Sequence, residues 1–199
     1  MRQKKDMNIY IAFSSHIEKI FRVVNDCKEG PLCIKKGVRS IKMWKKKYPY
    51  MHRWQLMKQP DIYDLFMEAL LQIDGNTPIE SISSSYELAC CEDEYRRMTV
   101  AQRKRFTPFK LPEWIPDGTK KKPVSRRCCM DKKKGQLFRQ AIIHCCYEKL
   151  AEFMYERQEK EMEKFQPVLA IREFCDKYNL SVEENANLLR QYYRHPACI

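Results

Sequence analysis

Five soft ligands, Cys128, Cys129, His144, Cys145 and Cys146, fall within 19 residues. Thiolate sulfur and imidazole nitrogen are what tetrahedral zinc prefers, so this is the densest candidate metal site in the sequence. The spacing argues against it. Structural zinc sites usually separate paired cysteines by two to four residues so that both side chains converge on one ion, and here the cysteines are adjacent. On a helix, Cys145 and Cys146 point about 100° apart. No metal and no other cofactor is expected.

Nucleophilic chemistry has little support. The histidines are His16, His52, His144 and His195, and none lies in a nucleophile, metal or triad signature. Successive helical residues do not face each other, so His144 and Cys145 cannot work as a dyad. Five glycines leave little room for a phosphate-cradling loop. No catalytic residue is assigned, and the chain reads as non-enzymatic.

Cations carry the stronger signal. The 199 residues hold 38 Lys/Arg against 26 Asp/Glu, a net charge of +12. Residues 1–60 carry 15 basic and 4 acidic side chains, 61–100 carry 2 and 9, 101–140 carry 13 and 3, and 141–199 carry 8 and 10. Two basic blocks flank an acidic one. A basic block can neutralise phosphates and release their counterions, or it can pair with the acidic block of the same chain.

Two segments concentrate the cations. The stripe Ile34, Val38, Ile41, Trp44 predicts an amphipathic helix over 34–47. Its other face carries Lys35, Lys36, Arg39, Lys42, Lys45, Lys46 and Lys47. Downstream, Tyr48, Tyr50, His52 and Trp54 interleave with Arg53 and Lys58, a mixture suited to stacking on bases and holding phosphates. The second segment, 120–134, contains Lys120, Lys121, Lys122, Arg126, Arg127 and the run Lys132-Lys133-Lys134. Of these cations, Lys35, Lys36, Arg39, Lys42, Lys45, Lys46, Lys47, Arg53, Lys120, Lys121, Lys122, Arg126 and Arg127, with Arg190 and Arg194, form the candidate nucleic-acid-binding set.

At the C-terminal end, Ala170, Ile171, Phe174, Tyr178 and Leu180 precede Ser181-Val182-Glu183-Glu184, a capping-box pattern. Helix, short turn and helix, with Ala170, Phe174, Leu180 and Leu188 as inner contacts, resembles a helix-turn-helix over about 27 residues. A recognition helix presents its first residues to DNA. Here these include Glu183 and Glu184, and only Arg190 and Arg194 are basic. Carboxylates near phosphates favour the other reading, an αα-hairpin used for packing or protein contact.

The elements that must position these groups read as helices. Apolar spacing places them over 8–25 (with 8–13 also legible as a strand), 34–47, 62–73, 86–98, 136–165, 168–178 and 182–194. Thr77-Pro78 marks a further start, and Thr99 caps a short turn over 100–105. Four prolines and the lysine runs make 106–135 a long extended loop. The expected fold is all-α: an irregular bundle of about seven helices, with an N-terminal lobe over 1–105, the basic loop 106–135 and a C-terminal lobe over 136–199. No apolar run approaches the roughly 20 residues of a membrane span, and no secretory leader is legible. Six of the ten cysteines are adjacent pairs, which suits reduced thiols and a cytoplasmic protein. The function expected is nucleic-acid binding through the basic helix and loop, with a protein partner or self-association also open. The alternative is a structural or assembly protein, a subunit–subunit adaptor whose charge blocks bind its neighbours.

Overall fold

The computed structural model describes residues 7–38, 61–72, 89–117, 120–125 and 128–194. Among these residues there are seven α-helices and also seven strands, all in antiparallel pairs, so the fold is mixed and not all-α.

The strands arise where a two-residue alternation outweighs a helical reading. In β1 (Asn8–Ala12), Ile9 and Ile11 are buried while Asn8 and Tyr10 are only partly so. The helix predicted over 8–25 therefore begins late, as α1 (Ser15–Val24), after Phe13 and the extended residue Ser14. β1 is the central strand of a three-stranded sheet. It pairs with β3 (Ala89–Cys91) through Ile9 and Cys91, and with β4 (Phe106–Lys110) through Ile9 and Phe109. Pro108 is tolerated in β4 because its ring nitrogen faces away from β1. On that outer side its carbonyl accepts the Leu32 N–H at 2.8 Å.

The long loop expected over 106–135 is largely strand. After β4 come β5 (Trp114–Asp117) and β6 (Lys120–Pro123), an antiparallel ribbon with Ile115 opposite Lys122. β7 (Cys128–Met130) then pairs with β2 (Leu70–Gln72). β2 ends the helix predicted over 62–73, leaving α2 as Ile62–Ala69. Similarly, β3 takes the start of the helix predicted over 86–98 and leaves α3 as Glu92–Arg97; α4 is Val100–Arg103. β3 and β7 are only three residues long and buried at every position, so no alternation marks them, and β2, β3 and β7 pair with partners far away in sequence.

The spine is α5 (Lys132–Glu161), 30 residues long, or about 45 Å at 1.5 Å per residue. Asp131 caps it by accepting the Lys134 N–H at 2.8 Å. Phe138, Ile142, Cys146, Leu150 and Met154 form its buried stripe. The early part packs on α2 and the sheet, where Phe138 lies 5.2 Å from Phe66 and 5.9 Å from Phe109, centroid to centroid. The later part packs on α6 (Pro167–Lys177), with Phe153 and Phe174 edge to face at 5.6 Å. α7 (Val182–Arg194) follows. One apolar cluster runs from Ile9 to Leu188 through all these layers. No helix among the described residues is long and apolar enough to cross a membrane.

Candidate nucleic-acid interface

Of the helix predicted over 34–47, residues 34–38 are described, and they turn instead of coiling. Gly37 sits at φ 91°, which an L side chain rarely adopts, and its N–H donates to Asp61 Oδ2 at 2.6 Å. Asp61 also accepts the Tyr63 N–H at 2.9 Å, so one carboxylate caps α2 and holds this turn. Arg39, Lys42, Lys45, Lys46, Lys47 and Arg53 lie outside the described residues. Lys35 and Lys36 are exposed. Lys35 Nζ pairs with Asp26 Oδ2 at 3.0 Å and holds that carboxyl below its ordinary value; Lys36 Nζ lies 5.2 Å from the Tyr63 ring centre. Buried Asn25 fixes the segment: its Nδ2 donates to Cys33 O at 2.7 Å and its Oδ1 accepts the Lys35 N–H at 3.3 Å.

The second basic segment is better ordered than its composition suggested. The β5–β6 ribbon is moored by buried Ile115 and Val124, with the Val124 N–H donating to Glu113 O at 3.1 Å. On β6, Lys120 and Lys122 are exposed; the Lys121 backbone belongs to the strand, and Arg126 and Arg127 lie outside the described residues. Trp114, on β5, is 49% exposed. The sequence reading missed this ring, although an indole six residues before a lysine triplet was a legible cue. Lys132, Lys133 and Lys134, all exposed, form the first turn of α5, which holds no acidic residue. Cations at a helix N-terminus oppose the helix dipole. In the described part of the acidic block, Glu92 pairs with Arg96 within α3, and the Glu94 carboxylate accepts the Cys91 N–H at 2.8 Å.

The C-terminal pair has a defined turn. Asn179 takes a left-handed conformation, φ 51°. The Leu180 N–H donates to Cys175 O at 2.8 Å and the Asn179 N–H to Asp176 O at 3.2 Å, closing the end of α6. Ser181 and Glu184 form the capping box: Ser181 N–H to Glu184 Oε2 at 2.6 Å, Glu184 N–H to Ser181 Oγ at 3.3 Å. Glu184 is buried and its Oε2 also meets Lys19 Nζ of α1 at 3.1 Å. Burial works against its ionisation. The Ser181 N–H, the Ser15 hydroxyl and Lys19 outweigh that and hold the carboxyl below the ordinary glutamate value. One of the two carboxylates expected to repel phosphate thus points inward. Val182, Glu183, Asn187 and Arg190 are exposed; Arg194 closes α7. Asn187 and the Lys19 partner of Glu184 were not singled out from sequence. Helical spacing from Arg190 would have found the first, while the second depends on long-range packing.

The paired cysteines among the described residues lie in the core. Cys90, Cys91, Cys128 and Cys129 are all buried, and β3 packs on β7. Burial pushes the Cys128, Cys129 and Cys145 thiols up to about 12, so at neutral pH they are protonated and weakly nucleophilic. His144 is exposed, but partial desolvation lowers its pKa. No group of three His, Cys, Asp or Glu side chains among the described residues is arranged to hold a metal ion. Compared with known proteins, the chain matches no family model, and no curated protein or solved structure matches it.

Proposed function

We propose that this chain is a non-enzymatic nucleic-acid-binding protein. The observation that carries the reading is the exposure of Lys120 and Lys122 on a moored ribbon, followed closely in sequence by Lys132, Lys133 and Lys134 at the positive end of α5. Three ammonium groups in that turn cost the isolated fold a few tenths to about 1 kcal/mol each at low salt. A polyanion reverses the sign of that term, and each phosphate contact releases counterions. Exposed Trp114 offers a ring beside these cations in the chain, suited to stacking on a base. Lys35 and Lys36 add to the cationic surface. A cytoplasmic setting suits the adjacent cysteines.

Labelled single- and double-stranded oligonucleotides, titrated at two salt concentrations, test this. Affinity must fall steeply with salt. Absence of binding at low salt refutes the proposal.

The subunit-adaptor reading has one observation in its favour. Met162, Val168 and Leu169 are exposed close together in sequence, Met162 at 77%. Size-exclusion chromatography with light scattering tests it: self-association that Val168→Asp with Leu169→Asp abolishes supports it, and a monomer at all concentrations counts against self-assembly.

A further inference from the structure

We propose that Thr99 is a phosphorylation site for an arginine-directed serine/threonine protein kinase. Such kinases choose substrates by charge pattern, presenting carboxylates to the residues that precede the acceptor hydroxyl. Arg96 and Arg97 stand three and two residues before Thr99, and apolar Val100 follows it. A guanidinium binds a carboxylate through two parallel hydrogen bonds, so arginines at these positions are held better than lysines.

The fold presents this stretch. Arg96, Arg97, Thr99 and Val100 are all exposed, Val100 at 71%. Met98 and Thr99 already have extended backbones, with ψ of 151° and 159°. α4 is a single turn that buries no side chain. Bonds between Thr99 and Gln102 hold its start. The Thr99 hydroxyl donates to Gln102 Oε1 at 3.0 Å and the Thr99 N–H to the same oxygen at 2.9 Å, while Thr99 Oγ1 accepts the Gln102 N–H at 3.3 Å. Both residues are exposed, so water replaces these bonds and the turn opens at little cost. Arg96 pairs with Glu92, but its side chain is 54% exposed, and such a pair yields to a competing carboxylate. Behind the acceptor, α3 is anchored by Tyr95, stacked on Tyr10 at 3.7 Å.

Competing hydroxyls fit less well. Thr107 has Lys104 and Arg105 at the same spacing, but it is buried and its hydroxyl donates to Glu18 Oε2 at 2.9 Å. Ser125 has Lys122 three residues before it, but Pro123 takes the place of the second cation. In the transfer, Thr99 Oγ1 bonds to the γ-phosphorus of ATP and the bond from that phosphorus to the bridging oxygen breaks. ADP leaves, and the hydroxyl proton passes to the catalytic aspartate of the kinase. The phosphate adds about −1.5 to −2 charges to residues 96–105, which hold five basic side chains and no acidic one.

The test is incubation of the full chain with ATP and the catalytic subunit of cyclic-AMP-dependent protein kinase, followed by tandem mass spectrometry. One phosphate on Thr99 is expected. Thr99→Ser should still accept it, and Thr99→Ala should lose it. Arg96→Ala with Arg97→Ala should lower kcat/KM for the transfer about tenfold or more, with an unchanged far-UV circular dichroism spectrum. Thr99 left unmodified overturns the inference, as does phosphorylation that is indifferent to both arginines. A synthetic peptide of residues 92–105 that is modified where the full chain is not would show that the fold shields the site, and overturns it too.

Discussion

Glu184 ties together a helix cap, an ion pair and a long-range contact. Its carboxylate accepts the Ser181 N–H and meets Lys19 on α1, 165 residues away in sequence. Its folded pKa is depressed, so the linkage has a definite sign. The stabilisation is complete above the unfolded glutamate pKa, about 4.3, and is lost as pH falls through the lower folded value. Glu184→Gln should cost about 1–2 kcal/mol at neutral pH, read from urea midpoints. The same variant should flatten the acid limb of the stability curve; an unchanged acid limb would assign that limb to other carboxylates. Asn25 makes a second prediction. Asn25→Ala leaves the Cys33 carbonyl and Lys35 N–H without their buried partner, at about 1–3 kcal/mol. Amide exchange at Lys35 should accelerate with it. The capping part of Glu184's role was legible as a Ser–Glu box, whereas its tie to Lys19, 165 residues away, and the reach of Asn25 across a turn to Cys33 depend on how the chain folds back on itself.

Among the elements, local chemistry explains what was readable. The α6–turn–α7 unit has strong helical periodicity, a Ser–Glu cap and an Asn at the turn, all within one stretch of chain. The left-handed turn makes a specific prediction. Asn179→Gly should be tolerated or slightly stabilising, whereas Asn179→Val should cost about 1–2 kcal/mol, seen as a lower Tm. The strands were hard to read for the opposite reason. Ile9 of β1, Phe13 just beyond its end and Ile17 of α1 stand at helical spacing, so two periods overlap. β3, β6 and β7 are each three or four residues long and built from cysteines or lysines, residue types that do not announce a strand. Their pairing energy comes from partners such as β1 and β2, which sequence spacing does not identify.

In the whole molecule, α5 joins two surfaces. Its early part packs on α2 and the sheet, and its late part supports the helix pair. Phe138, fully buried against Phe66 and Phe109, sits at the first of these junctions. Phe138→Ala should cost about 3–5 kcal/mol, and calorimetry should show one cooperative transition shifted down, since a single apolar cluster spans both parts. The +12 charge is distributed in blocks along the sequence, and within the acidic block Glu92 and Glu94 have partners of their own in Arg96 and the Cys91 N–H. Lys120 and Lys122 of the basic segment are exposed. The most direct test is the salt slope of oligonucleotide binding, compared between the natural chain and a Lys120→Glu, Lys122→Glu variant. Log affinity should fall linearly with log salt, and the variant should bind more weakly with a slope shallower by about 1–2. Equal slopes for the two proteins, or no binding at low salt, would contradict the account.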